Sequence, residues 1–274
     1  MSARGPVQVR ASVLSLKKVG AYHHLTLVAP GIPERTRPGH FVTLAVGGPD
    51  SALLLRRAFS AYRVRASGAY GGTLEIVFAV RGDGTRQLAA LRQQDEVDVV
   101  GPLGRPFALP KEPVSCVLVG SGYGSAALFT LAARLQEREC SVHMVVGAPT
   151  EEQLFGALEA RRTAQSVTVT TEDGSVGIRG PVTGPLPDLL ARTGSEVVYA
   201  SAPVGTLGAV ADLAAQHGAW SQCTVETPMA CGIGVCMSCV LPVLGDDGIT
   251  RLLRGCVDGP VFRGDRVRWE AAGA

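Results

Sequence analysis

An antiparallel β-domain, then a doubly wound parallel α/β domain, then a small cysteine-bearing domain is the multi-domain architecture that this sequence predicts. Three observations carry it: β-rich runs broken by Gly and Pro over residues 1–110, strand and helix in alternation over 111–218, and four cysteines gathered within 219–274. A length of 274 residues suits about two domains, and 46% hydrophobic against 18% charged content supplies a sizeable core.

In the first part, runs at 7–14, 24–28, 40–46, 58–65, 73–80 and 96–100 read as strands. Several alternate or carry β-branched residues, and Pro30, Gly31, Pro38, Gly39, Gly71 and Gly72 sit at the breaks, the pattern of an antiparallel sandwich or barrel. From 111 onward, strands at 114–119, 141–146, 167–170 and 197–200 are separated by helical stretches at 125–135, 151–161 and 207–216, which implies right-handed crossovers and a mostly parallel sheet. The tail holds the cysteines, Gly/Asp turns at 245–248 and a β-like stretch at 266–269. So short a segment makes a marginal core alone, and a metal cluster would supply part of its stability.

Composition excludes some classes. Twenty-six Lys and Arg against 24 Asp and Glu leave +2, spread along the chain, so charge gives no case for nucleic acid or an anionic membrane. The uncharged stretch 113–133 is long enough to cross a bilayer, but Gly120, Gly122 and Gly124 divide it into strand, loop and helix. Seven cysteines fit a disulfide framework poorly, and residues 1–10 hold two arginines and no apolar core, so a reducing, cytoplasmic setting is expected. Cys116 and Cys140 lie in apolar strand patterns and read as core, while Cys223 has no assigned role.

Cys231, Cys236 and Cys239 form C-x4-C-x2-C, with Cys256 further on. That spacing suits a plant-type 2Fe-2S centre, in which a tight loop aims three thiolates and several N–H groups at the cluster. Gly232 and Gly234 suit the wrapping. Structural zinc and unligated core cysteines are the alternatives, although only Cys236 and Cys239 form a C-x2-C knuckle and no histidine follows His217.

Two further signals concern phosphate. Arg57-Ala58-Phe59-Ser60 puts an arginine near a hydroxyl, and Gly82-Asp83-Gly84-Thr85 is a glycine turn opening a helical stretch at 86–92; both suit a pyrophosphate, and both also occur as ordinary surface features. Gly120-Ser121-Gly122-Tyr123-Gly124 follows a strand and opens a helix, as a dinucleotide site requires, or else packs there for structural reasons. No acidic ribose reader ends the second strand, where Val145-Val146-Gly147-Ala148 runs out.

Together these motifs resemble the ferredoxin-reductase superfamily. Within it, M-A-C-G-I-G-V-C-M-S-C at 229–239 and C-V-D-G-P-V-F at 256–262 resemble the electron-transfer subunits of class 1B dihydroorotate dehydrogenases, and the similarity extends over nearly the whole chain. The resemblance implies an FAD-binding β-barrel, a nucleotide-binding α/β domain and a 2Fe-2S domain. It implies that Arg57, Ala58, Phe59, Ser60, Val77, Phe78, Ala79, Gly84 and Thr85 hold FAD, that Gly120, Gly122 and Gly124 meet NAD, and that Cys231, Cys236, Cys239 and Cys256 ligate the cluster. It also implies a partner, an FMN-containing catalytic subunit that oxidises dihydroorotate in pyrimidine biosynthesis, in a heterotetramer. FAD exchanges two electrons with a nicotinamide and single electrons with the cluster. Ser121, Ala127, Ser201 and Ala202 depart from the family's Gly-Gly-Gly-x-Gly-x-Ala-Pro-Leu and Cys-Gly-Pro patterns where NAD would sit. That leaves two alternatives: a reductase serving another redox partner, and a regulatory or structural homologue whose NAD site has decayed.

Overall fold

A computed structural model describes residues 5–48, 51–69 and 71–272. The first layer contains β1 (Val7–Val19), β2 (Tyr22–Val28), β3 (Phe41–Leu44), β4 (Arg57–Ser60), β5 (Arg63–Arg65), β6 (Thr73–Phe78), a short helix α1 (Asp83–Ala89) and β7 (Glu96–Leu103). The strands form an antiparallel sheet in the order β4-β3-β7-β1-β2-β6-β5. Alternation puts Leu25, Leu27, Leu74, Ile76, Val97 and Val99 on its inner face, all buried. Register shifts in β1, between Val13 and Ser15, and in β3 bend the sheet, so the expected barrel is a curled half-barrel with edges at β4 and β5. The curl brings β4 to β6, where Phe59 and Phe78 stand 5.6 Å apart.

The run read as one strand over 58–65 breaks at Ala61 and Tyr62, both buried. Tyr62 turns toward the second layer: its hydroxyl donates to Glu159, its carbonyl accepts from Thr130 Oγ1 at 2.6 Å, and its ring meets Phe129 and Phe155 edge-on.

The second layer contains β8 (Ser115–Ser121), α2 (Ala126–Gln136), β9 (Ser141–Ala148), α3 (Ala157–Thr163), β10 (Ser166–Thr171), β11 (Ile178–Arg179), α4 (Leu186–Thr193), β12 (Val197–Ser201), α5 (Val204–Gln216) and β13 (Trp220–Thr224). The hairpin β14 (Val240–Leu244) and β15 (Thr250–Arg254), strand β16 (Val261–Arg263) and helix α6 (Trp269–Ala272) complete the chain. The second sheet runs β11-β10-β9-β8-β12-β13-β16, parallel except for β16. Its central strands are apolar on both faces because helices cover both, α2 and α3 on one side, α4 and α5 on the other. Among the described residues no helix is long and apolar enough to cross a membrane, and the stretch 113–133 resolves into β8, a glycine turn and α2.

Three details differ from the sequence expectation. The boundary read at 218/219 falls just ahead of β13, so the parallel sheet extends into the cysteine-bearing segment through β13 and β16. The helix expected over 151–161 is a single turn at Glu151–Gln153 followed by α3, separated by Gly156 at φ +77°. The β-like stretch at 266–269 is reduced to one antiparallel bridge, Val267 to Val243, before α6 begins at Trp269, whose Nε1 donates to Gly264 O at 2.9 Å and whose ring lies over Gly208 of α5.

Candidate functional site

The half-barrel and the parallel sheet meet in a cleft lined from both layers. The half-barrel contributes Ala58, Phe59 and Ser60 from β4, Val77 and Phe78 from β6, and then Ala79 and Thr85. Arg57 and Gly84 lie beside it against each other: a Cβ on Gly84 would come 2.8 Å from Arg57 Nε. Thr85 closes the turn that opens α1, its Oγ1 accepting from the N–H groups of Arg81 (2.9 Å) and Gly82 (3.1 Å).

The parallel sheet contributes the carboxyl ends of its strands. Of the three glycines of the predicted nucleotide loop, Gly124 lines the cleft, where a side chain would meet Ser201 O at 2.8 Å. Gly120 and Gly122 do not line it: the first packs against Ser125, with its absent Cβ 2.8 Å from Ser125 Cα, and the second faces the Tyr22 hydroxyl at 3.0 Å. Sequence reasoning missed Arg81, Tyr123, Glu226, Thr227 and Met229, all of which line the cleft. Their signal is positional, since Tyr123 and Glu226 follow the ends of β8 and β13, where an open α/β sheet takes its ligands.

The four cysteines stand together as two pairs. Cys239 and Cys256 are buried with their Sγ atoms 3.3 Å apart. Cys231 and Cys236 lie on the loop, where Cys231 Sγ accepts from the N–H groups of Ile233 (3.5 Å), Val235 (3.3 Å) and Cys236 (3.5 Å). Gly232 at φ +70° and Gly234 at φ +87° let that backbone turn inward. Desolvation raises the Cys231 thiol, but those N–H groups outweigh it and bring it down to about 6; burial and neighbouring Cys239 push Cys256 up to about 12. Among the described residues no three His, Cys, Asp or Glu side chains converge on one ion position. Cys116, Cys140 and Cys223 are buried in the sheet layers away from this loop.

The loop and the cleft share a wall. Phe41 of β3 lines the cleft and packs with Leu103 against Cys239 and Cys256, while Met229, two positions before Cys231, lines the cleft from the other strand system. A half-barrel set against a doubly wound sheet, with the crevice between them and a cysteine loop at its edge, defines an oxidoreductase of the ferredoxin-reductase-like class. The solved structure of an NADH-dependent reduced ferredoxin-NADP oxidoreductase matches at a TM-score of 0.83 and 27% identity, over 96% of this chain and 91% of that one. A ferredoxin reductase of carbazole 1,9a-dioxygenase shares the fold at a TM-score of 0.61 and 16% identity, over 78% of this chain and 67% of that one.

The family model for the iron-sulfur cluster binding domain of dihydroorotate dehydrogenase B matches residues 226–268. The dihydroorotate dehydrogenase B (NAD(+)) electron transfer subunit of Listeria monocytogenes is 34% identical over 84% of this chain and 87% of its own length. Its counterpart in Desulforamulus reducens is 29% identical over 90% and 93%. The chain belongs to the family of dihydroorotate dehydrogenase B electron-transfer subunits.

Proposed function

We propose that this chain holds FAD in the cleft and a 2Fe-2S cluster on Cys231, Cys236, Cys239 and Cys256. It would carry electrons between a nicotinamide and an FMN-containing dihydroorotate dehydrogenase catalytic subunit, within a cytoplasmic heterotetramer. The observation that carries this reading is the shared wall: Phe41 touches both the cleft and the inner cysteine pair, so two redox groups bound there would be neighbours.

The residues present fit both groups. Four thiolate donors in two pairs suit two irons with two ligands each, and the N–H groups converging on Cys231 are the hydrogen bonds that a sulfur-rich centre needs. For FAD, Ser60 and the β6 backbone around Val77 and Ala79 line the cleft, Phe59 supplies an aromatic wall, and Arg57 with the Gly84–Thr85 turn would clamp the diphosphate. When bound, FAD supplies the exchange between a two-electron donor and a one-electron carrier. This chain's part is then to bind, orient and exclude water: among the described residues that line the cleft, none needs to act as a base toward dihydroorotate, whose proton chemistry belongs to the partner. Gly124, rather than Gly120 or Gly122, is the loop glycine that would meet NAD.

A second reading, a reductase for another redox partner, is favoured by the near full-length match to the ferredoxin-NADP oxidoreductase. Anaerobic NADH titration of the purified protein tests the first part: the flavin should bleach, followed by the low-temperature EPR signal of a reduced 2Fe-2S cluster. Adding the catalytic subunit and orotate should then reoxidise the cluster. Bleaching and EPR signal without that reoxidation would select the second reading.

A further inference from the structure

The parallel sheet changes direction between β8 and β12: the chain leaves β8 toward β9 on one side, and β12 continues to β13 on the other. Carboxyl ends at such a switch frame the crevice in which an open α/β sheet takes its ligand. Here one side chain spans the opening. Tyr123, just after β8, donates from its hydroxyl to Glu226 Oε2 at 3.1 Å, just after β13, so the phenol reaches past the end of β12 at Ser201. Tyr123, Ser201 and Glu226 all line the cleft.

Two contacts hold the ring. The Arg81 guanidinium lies 5.6 Å from its centroid, and the Tyr22 ring meets it edge-on at 5.7 Å. Tyr22 is itself fixed, donating to Gln153 O at 2.6 Å. Burial and the charge of Glu226 push the Tyr123 hydroxyl up to about 12, so it remains a donor at neutral pH. Tyr123 also packs on the buried cluster that holds Tyr22 and Phe155, so its ring serves the fold as well as the opening.

We propose that Tyr123 is the residue that controls nicotinamide access: with its hydroxyl on Glu226 the ring covers the crevice over Ser201, and a dinucleotide's nicotinamide end reaches the flavin cleft only after that bond opens and the ring moves aside. This rests on the reading of the cleft as a flavin and nicotinamide site. A closed majority state lowers apparent affinity by the fraction that is open, so weakening the latch tightens binding.

The test is equilibrium titration of the FAD- and cluster-loaded protein with NAD(+), followed by the flavin difference spectrum and by calorimetry. Tyr123→Phe removes the hydrogen bond and keeps the ring, and its Kd should fall about fivefold, the worth of one net hydrogen bond. Tyr123→Ala removes the ring as well, and its Kd should fall about thirtyfold. If Tyr123→Ala fails to retain FAD, Tyr123→Phe alone carries the test. Wild-type binding that is unchanged or weakened in the variants, at equal flavin content, overturns the gate and leaves the nicotinamide site standing. No binding by wild type or either variant, with the flavin still reducible by dithionite, overturns the nicotinamide reading and the gate with it.

Discussion

Replacing Gly84 by alanine should weaken FAD binding while leaving fold stability nearly unchanged. Gly84 is the second residue of α1 and has no left-handed φ, so alanine suits its backbone and, as the better helix former, adds up to about 1 kcal/mol. The new Cβ would stand 2.8 Å from Arg57 Nε and 3.2 Å from Cζ and Nη2, closer than ordinary contact. The obstructed group is the end of a flexible side chain, so the fold relaxes by moving the guanidinium, at the cost of its 2.6 Å bond to Leu55 O. If Arg57 clamps the FAD diphosphate, that displacement removes a charge-assisted hydrogen bond worth about 1.5–3 kcal/mol, a rise in the FAD Kd of about 10- to 150-fold. Fluorescence-quench titration of FAD into stripped protein measures the affinity, and thermal unfolding of the same stripped sample measures the fold. An FAD Kd within twofold of wild type, with unfolding unchanged or improved, would refute the assignment of Arg57 as the clamp.

The other predictions concern the cysteine loop and pH. Cys236→Ser should abolish cluster absorbance and bound iron while costing the stripped protein little stability, because Cys236 is exposed and its Sγ contact with Ser238 Oγ at 3.2 Å is one that a hydroxyl keeps; iron analysis beside unfolding of stripped protein checks this. His40, held neutral by burial and by the nearby Arg37 charge, has its pKa brought down to about 4, and its Nδ1 accepts from the Arg37 N–H at 3.0 Å. Between about 4 and 6.5 the unfolded chain binds a proton there that the folded chain refuses, so stability is lost as pH falls through that window, with a slope of up to about 1.4 kcal/mol per pH unit. Tm measured from pH 7 to 4 should fall less steeply in His40→Gln; an identical slope would assign the acid limb to other groups.

What could be read in the sequence was whatever lies close along the chain. The four cysteines proposed as ligands fall on one loop and just past the hairpin that follows it, so spacing alone brings Cys231, Cys236 and Cys239 together, and the chain supplies Cys256 after β15. A strand with alternating burial, such as β2 over Leu25–Val28, was equally legible because one buried face fixes both period and register. The glycine loop at 120–124 was legible as strand, turn and helix, but the role of each glycine was not: Gly120 answers to Ser125 and Gly122 to Tyr22, contacts that no local pattern announces. Glu226 and Thr227 reach the cleft because β13 joins the sheet beside β12, a pairing set by layer packing rather than by nearby residues. For the same reason the boundary at 218/219 misjudged the tail, whose first strand reads like the start of a new unit yet completes the old one.

That completion explains how a short tail can hold a redox centre in register with the cleft. β16 pairs with β13, Val225 N–H donates to Pro260 O at 2.9 Å, and Arg105 N–H from the half-barrel donates to Gly259 O at 2.6 Å. The segment after Cys256 is thus bonded to both layers at once, while Phe41 and Leu103 cover the inner cysteine pair from the half-barrel side. A segment with so little core of its own gains its stability from these two attachments. They also fix the distance between loop and cleft without a hinge, since any motion of the tail away from either layer would break backbone hydrogen bonds on the other. Electron transfer between groups bound at the two sites then needs no domain movement, and the one moving part that the arrangement calls for is the side chain that stands across the opening, Tyr123.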